Sequence, residues 1–418
     1  MRNDSSLRII VTGLIGQHPS LGGVTWDYLQ YALGLARLGH DVYYFEDSGQ
    51  WPYTNKGGPS GNDWVARECG TNVEHLAKTM ARFGLQGKWA YHFPTARQWY
   101  GLSGENRRRV IESADLLINV SGTLEHPENY RGVKRLIYID SDPAFTQVKL
   151  ALTQEHADFC DRVNAHDMHF SFGEHFTSVI PDTGHHWRPT RQPIVLSEWQ
   201  SSMAPRNVYT TVMSWTSYKP ISYAGRSFGQ KDVEFKRFVQ LARKVQPVAL
   251  EVAMHELEHT DWQSDHEDWP PKVCEQVGTD SLTPYELLTL LGWRVVDPAI
   301  VCADIDNYRA YIKSSKAEWS VAKNGYVAGR AGWFSCRSAC YLAAGRPVIV
   351  QDTGFGNALP TGEGILAFGT MDEAIAAIHE VEAHYERHAH AARAIADAYF
   401  DSDKVLQRLI EEIFGSGN

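Results

Sequence analysis

Apolar residues follow two rhythms along the chain. Short apolar runs alternate with segments in which apolar positions return every three or four residues. Leu7–Val11 is such a run and predicts a buried strand. The glycine-bearing stretch from Thr12 to Gly23 follows it. Over Thr25–Leu38, Tyr28, Leu29, Ala32, Leu35 and Ala36 share one helical face, and Gly39 supplies the stop. Asp41–Phe45 predicts a second strand. Strand, loop, helix and strand make a βαβ unit, hence a parallel sheet. Ala114–Val120 and Arg135–Ile139 continue the series.

A second series begins at Tyr209–Ser214. A helix is predicted over Glu234–Val245, then strands at Val248–Ala253, Trp293–Val296, Trp319–Val321 and Pro347–Val350. Ser335–Ala344 reads as a helix closed by Gly345, and Asp372–Glu382 and His388–Tyr399 as late helices. Pro181–Pro205, rich in Pro, His, Trp and Arg, reads as the connection between the series. The expected fold is α/β, two Rossmann-like domains in tandem. Residues 1–198 form the first and 199–395 the second, and 396–418 carry a C-terminal helix that returns to the first. A ligand cleft is expected between them, at the carboxyl ends of the strands.

Composition narrows the partners. The 418 residues are 43% hydrophobic and 22% charged, an ordinary globular balance. Forty Lys and Arg against 50 Asp and Glu give a formal charge of −10. Such a chain lacks the broad positive field of a nucleic-acid binder, and an anionic substrate needs a focused local pocket. The six cysteines form no CxxC pair, which points to reduced thiols in a cytoplasmic protein. The start, MRNDSSLRIIVTGLIGQ, lacks the long apolar core of a signal peptide, and no apolar stretch is long enough to span a membrane.

Two segments carry candidate chemistry. The loop GLIGQHPSLGG, Gly13 to Gly23, leaves the first strand and enters a helix, where backbone N–H groups can cradle phosphate. It is not GxGxxG, and a tight turn without ligand fits it too. The segment Ala331 to Phe355 places Ser335 at a helix start, with Arg337 and Ser338 in the first turn. Free N–H groups, a partial positive charge and a guanidinium suit a diphosphate there. Asp352-Thr353-Gly354 follow the next strand, where a loop reaches the cleft.

Here the chain resembles the GT-B nucleotide-sugar glycosyltransferases. SACYLAAGRPVIVQDTG, Ser338 to Gly354, is similar to their EAMACGKPVIATDVGG segment. Gly22-Gly23 with Gly39-His40-Asp41-Val42 resembles their GGVERVV…RGHEV stretch. Lys231 before a helix resembles the Lys of their KG pair, and Gly362-Glu363-Gly364-Ile365-Leu366 their C-terminal turn. The resemblance anchors both domains, while Tyr53–Tyr130 and Thr260–Pro284 match nothing. It implies sugar transfer from a nucleoside diphosphate to an acceptor hydroxyl or amine, on a small molecule or glycan, with no bound metal and no cofactor beyond the donor. On it, Lys231, Ser335, Arg337 and Ser338 hold the diphosphate, Gly16 approaches from the other domain, and Asp352 and Thr353 face the sugar. His18, after the first strand, is the expected base, with Asp140 or Asp142 of YIDSDP to orient it. Both aspartates equally suit capping or a turn before Pro143.

The chain also departs from the pattern. Retaining members carry an E-x7-E pair where this chain has Gly332 and Cys340. Cysteine cannot accept two ribose hydroxyls as a carboxylate does, so Glu318 or Asp352 is expected to substitute, and the stereochemistry stays open. A nucleotide-sugar epimerase, a phosphorylase or a silent sugar-binding protein would share the fold. His255-Glu256-Leu257-Glu258-His259 matches HExxH, but it follows a strand and precedes loop-like sequence, not the helix that a zinc protease needs. His166, His169, Glu174, His185 and His186 match no ligand spacing and read better as interdomain contacts. The aromatic-rich Gln50–Tyr100 suits stacking on an acceptor or plain core packing.

Overall fold

A computed structural model describes residues 6–54, 66–201, 203–255 and 284–415. The HExxH match runs into residues outside this set, so it carries no structural statement. The first sheet contains β1 (Arg8–Thr12), β2 (Asp41–Glu46), β3 (Trp89–Phe93), β4 (Gln98–Gly101), β5 (Leu116–Val120), β6 (Leu136–Asp140), β7 (Met168–Ser171) and β8 (Trp187–Pro189). Their spatial order is β4-β3-β2-β1-β5-β6-β7-β8, parallel except for the antiparallel β3–β4 edge. The second sheet holds β9 (Tyr209–Val212), β12 (Leu250–Ala253), β13 (Arg294–Val296), β14 (Ala317–Ser320), β15 (Val348–Gln351) and β16 (Ile365–Phe368). A small hairpin, β10 (Ile221–Tyr223) and β11 (Arg226–Phe228), stands apart. The second sheet is parallel in the order β13-β12-β9-β14-β15-β16. Helices cover both faces, so strands such as β5 (LLINV) and β14 are buried at every position instead of alternating. In each sheet the order reverses at its first strand, which opens a crevice beyond the carboxyl ends.

The helices used below are α1 (Gly22–Arg37), α2 (Lys231–Lys236), α3 (Ile305–Ser314), α4 (Asn324–Gly329), α5 (Cys336–Ala343) and α6 (Ser402–Phe414). The single helix expected over Glu234–Val245 is broken. Arg237 N–H bonds Glu234 O, and Phe238 N–H bonds Phe235 O, so the chain tightens to i→i−3 bonds between α2 and Leu241–Lys244. The tighter turn lets Phe235 and Phe238 both face Trp319.

Pro181–Pro205 is not a free connection. Trp187–Pro189 is an edge strand of the first sheet, and Trp199, fully buried, packs 5.2 Å from Trp26. One apolar core runs from β1 and α1 through α3 and α5. α1 meets α3 so closely that a Cβ on Gly22 would lie 2.0 Å from Asp304 O. Gly22 N–H donates to Cys302 O, and Trp26 Nε1 to Ile305 O. The glycine pair that opens α1 therefore serves helix packing. At the other end of α1, Leu406 of α6 lies against Gly34, and Ile194 bridges to Asp401. No helix among the described residues is long and apolar enough to cross a membrane.

Candidate active site

A cavity of about 670 Å³ lies at the carboxyl ends of both sheets. From the first half it takes Asp27 and Tyr28 of α1, Ser121 after β5 and Asp142 after β6; from the second, Lys231, Lys323, Ser335 and Arg337. Three cations thus border one space.

Arg337 is held from behind. Its Nε donates to Glu318 Oε1 at 2.7 Å and its Nη1 to Val212 O at 2.5 Å. Glu318 is fully buried on β14. Burial opposes the guanidinium charge, but Glu318 and Tyr308 outweigh it and raise the Arg337 pKa. Glu318 therefore positions Arg337, and it is not among the residues lining the cavity. Lys231 opens α2 and has no ion-pair partner among the described residues. Burial, then the like charges of Arg337 and Lys323, push its pKa well down. Lys323 reaches across the halves to Asp142 at 3.0 Å. Asp142 also accepts from the Tyr218 and Tyr326 hydroxyls. Burial would raise the Asp142 pKa, yet Lys323 and both tyrosines hold it below the usual value.

Ser335 stands at the N-cap of α5 and borders the cavity, but its hydroxyl makes no capping bond. Ser338 is fully buried, its hydroxyl without a partner among the described residues. Thr353 donates to Trp333 O, and Asp352 accepts from Gly354 N–H and Arg330. Neither Asp352 nor Thr353 lines the large cavity; Thr353 and Ser338 meet in a narrow space beside it.

The loop after β1 differs most from expectation. The Gly16 N–H donates to Glu46 Oε2 at 2.7 Å and the Gln17 N–H to Glu46 Oε1 at 2.5 Å. The protein's own carboxylate occupies the cradle expected to meet a phosphate. Burial pushes Glu46 up to about 8, although Gly16, Gln17 and Tyr44 pull the other way. His18 stacks on Tyr53 with centroids 4.6 Å apart, and burial lowers its pKa to about 4. It is not among the residues lining the cavity. Asp140 is buried and accepts from Thr146, Gln147, Ser171 and the Asp142 N–H. Four donors fill its lone pairs, so the structure does not pair it with His18.

The His-rich region is likewise occupied. His166 bonds Asn119 and Arg162 O, His169 bonds Val163 O, and His185 bonds Asn164 and Thr183. Among the described residues no group of three His, Cys, Asp or Glu could hold a metal. Sequence reasoning missed Asp27 and Lys323. Asp27 sits four residues after Gly23 beside an apolar face, a weak signal; Lys323 meets Asp142 only across 181 positions, which leaves none.

Two doubly wound sheets of this order are the fold of GT-B nucleotide-sugar glycosyltransferases. The chain is similar to an alpha-glucosyltransferase (AGT) solved in complex with UDP, with a TM-score of 0.58 and 12% identity, covering 98% of this chain and 100% of that one. It is also similar to Anabaena Alr3699/HepE in complex with UDP, with a TM-score of 0.56 and 12% identity, covering 97% and 99%. An alpha-glucosyltransferase in complex with UDP-glucose and DNA containing an abasic site matches with a TM-score of 0.57, 12% identity and coverage of 98% and 99%. No protein-family model and no curated protein matches the chain.

Proposed function

We propose that the chain is a GT-B glycosyltransferase, moving a sugar from a nucleoside diphosphate to an acceptor hydroxyl or amine. The observation that carries this reading is the convergence of Lys231, Lys323 and Arg337 on one cavity. Like charges are gathered there at a cost, and the dianionic diphosphate of a donor would offset it. Arg337 and Lys231 hold the diphosphate, with Ser335 beside them, and neutralise the charge that grows on the leaving group in place of a metal. The donor is itself the only small-molecule partner besides the acceptor.

In this reading residues 1–198 and 199–395 are two domains, 396–418 returns to the first, and the cavity is part of the cleft between them. The solved relatives in complex with UDP or UDP-glucose favour a uridine donor. One of them is in complex with DNA, but the −10 charge here favours a small-molecule or glycan acceptor. Thiols at Cys69, Cys160, Cys302, Cys336 and Cys340, none in a disulfide, suit the cytoplasm. Calorimetry with UDP, GDP and their sugars tests the reading. Micromolar binding of one pair is expected, and no binding of any would end it.

A further inference from the structure

The cavity holds one carboxylate that no described residue engages. Asp27 lies on α1 with Gly23, Val24 and Tyr28, one helical face toward the cavity. No hydrogen bond or ion pair reaches its carboxylate from the described residues, whereas Glu318, Asp142, Asp140 and Glu46 are all engaged. Its backbone is pinned instead. Gln192 Nε2 donates to Asp27 O at 2.8 Å, and Cys336 Sγ donates to Gln192 Oε1 at 3.4 Å. That partly buried bridge ties Asp27 to the start of α5, one residue from Arg337. Asp27 thus lines the same cavity as Arg337 and lies near enough to feel its charge.

We propose that Asp27 is the base that receives the acceptor's proton, a role that rests on the glycosyl-transfer reading above. The acceptor oxygen forms its bond to the anomeric carbon while its O–H proton passes to the Asp27 carboxylate. The bond from that carbon to the diphosphate oxygen breaks, and its electron pair leaves on the diphosphate, where Lys231 and Arg337 meet the charge. Burial raises the Asp27 pKa to about 7, and Arg337 only partly opposes it. The other titratable groups that feel Asp27 are Tyr28, Tyr31, Tyr308, Cys336 and Cys340, all pushed upward and neutral at pH 7. Burial therefore sets its titration, with Arg337 the charged group that opposes the shift, and added negative charge from a diphosphate raises it further.

Asp27→Asn keeps the shape and removes the base. UDP binding to both proteins is measured at pH 7 in buffers of different ionisation enthalpy, which reads proton uptake. Wild type is expected to take up a larger fraction of a proton than the variant, with UDP affinity within threefold. Hydrolysis of a panel of nucleoside-diphosphate sugars, with water as acceptor, is expected to fall about 10²–10⁴-fold in the variant. Equal proton uptake overturns the proposal, as do equal hydrolysis rates, zero included, or loss of UDP binding in the variant. A wild type that binds no nucleoside diphosphate sinks the glycosyl-transfer reading itself, which is a different failure.

Discussion

The two halves of the molecule begin alike and end differently. In each, the first strand of a doubly wound sheet runs into a loop and then a helix, at the point where the strand order reverses. After β1 the loop turns its N–H groups onto Glu46, and the buried acid closes the nest. After β9 the chain leads through the β10–β11 hairpin to Lys231, a half-buried lysine with no ion-pair partner among the described residues. One switch point is satisfied from within, and the other keeps a lysine without an ion-pair partner among the described residues. Equivalent topology therefore does not imply equivalent chemistry; which backbone and side-chain groups remain unpaired decides where a phosphate can sit.

The largest effects should fall on the second half. Arg337→Ala leaves Glu318 fully buried with no cation, so stability should drop by about 3–5 kcal/mol in urea unfolding, together with UDP binding. Replacing the pair by Met at both positions should recover most of the stability but not the binding. Recovery of binding as well would show that the guanidinium does not hold the ligand. Lys231→Met should weaken UDP binding by about 1.5–3 kcal/mol without lowering stability. The Lys231 pKa is depressed in the fold, so the unfolded chain binds the extra proton and wild-type stability rises with pH across that window. The variant should lack this rise; a variant less stable than wild type at pH 7 would mean that Lys231 has a partner in the fold.

How much of this was legible in sequence follows from the range of each interaction. β1, α1, β2, β14 and α5 are local patterns, and the apolar period found them. The β10–β11 hairpin and β8 are three residues long each and carry no period to read. The helix expected at Glu234–Val245 was broken because tertiary packing of Phe235 and Phe238 overrode propensity. In the site, Arg337, Ser335 and Lys231 stood in a recognisable frame. Lys323 meets Asp142 across the halves, and Asp27 depends on Gln192, so no local spacing marks Lys323 or Asp27. The closing of the Gly16 loop is not legible in the motif because the residue that fills it, Glu46, lies at the end of the next strand.

The first half yields a smaller effect. Glu46→Ala strands the Gly16 and Gln17 N–H groups and should cost about 1–3 kcal/mol. The Glu46 pKa is about 8 in the fold against 4.5, so the folded state holds the extra proton between these values. Its contribution is full below 4.5 and is lost as pH rises through 8. The penalty of the substitution, from urea midpoints, should therefore be larger at pH 5 than at pH 8. The opposite slope would mean that the N–H bonds hold Glu46 ionised, which would make the loop more like an anion nest than the comparison allows.

The smallest effect concerns His18, which ties the two halves of the comparison together. If the loop after β1 is closed, His18 is a packing residue and His18→Ala should leave nucleotide-sugar turnover near wild type. The loss of the Tyr53 stack should cost about 0.5–1.5 kcal/mol at pH 7. The pH dependence tests the cause. In the fold the His18 pKa is about 4, against 6.5 for an ordinary histidine, so between these values the unfolded chain carries the proton. The stability that His18 contributes is present above 6.5 and is lost as pH falls toward 4. The gap between wild type and variant should thus shrink from pH 7 to pH 5 and reverse at lower pH. A constant gap would mean that His18 protonates freely and meets solvent. With a fall of 10²-fold or more in turnover, that would return the base to the loop after β1 and leave Asp27 a bystander.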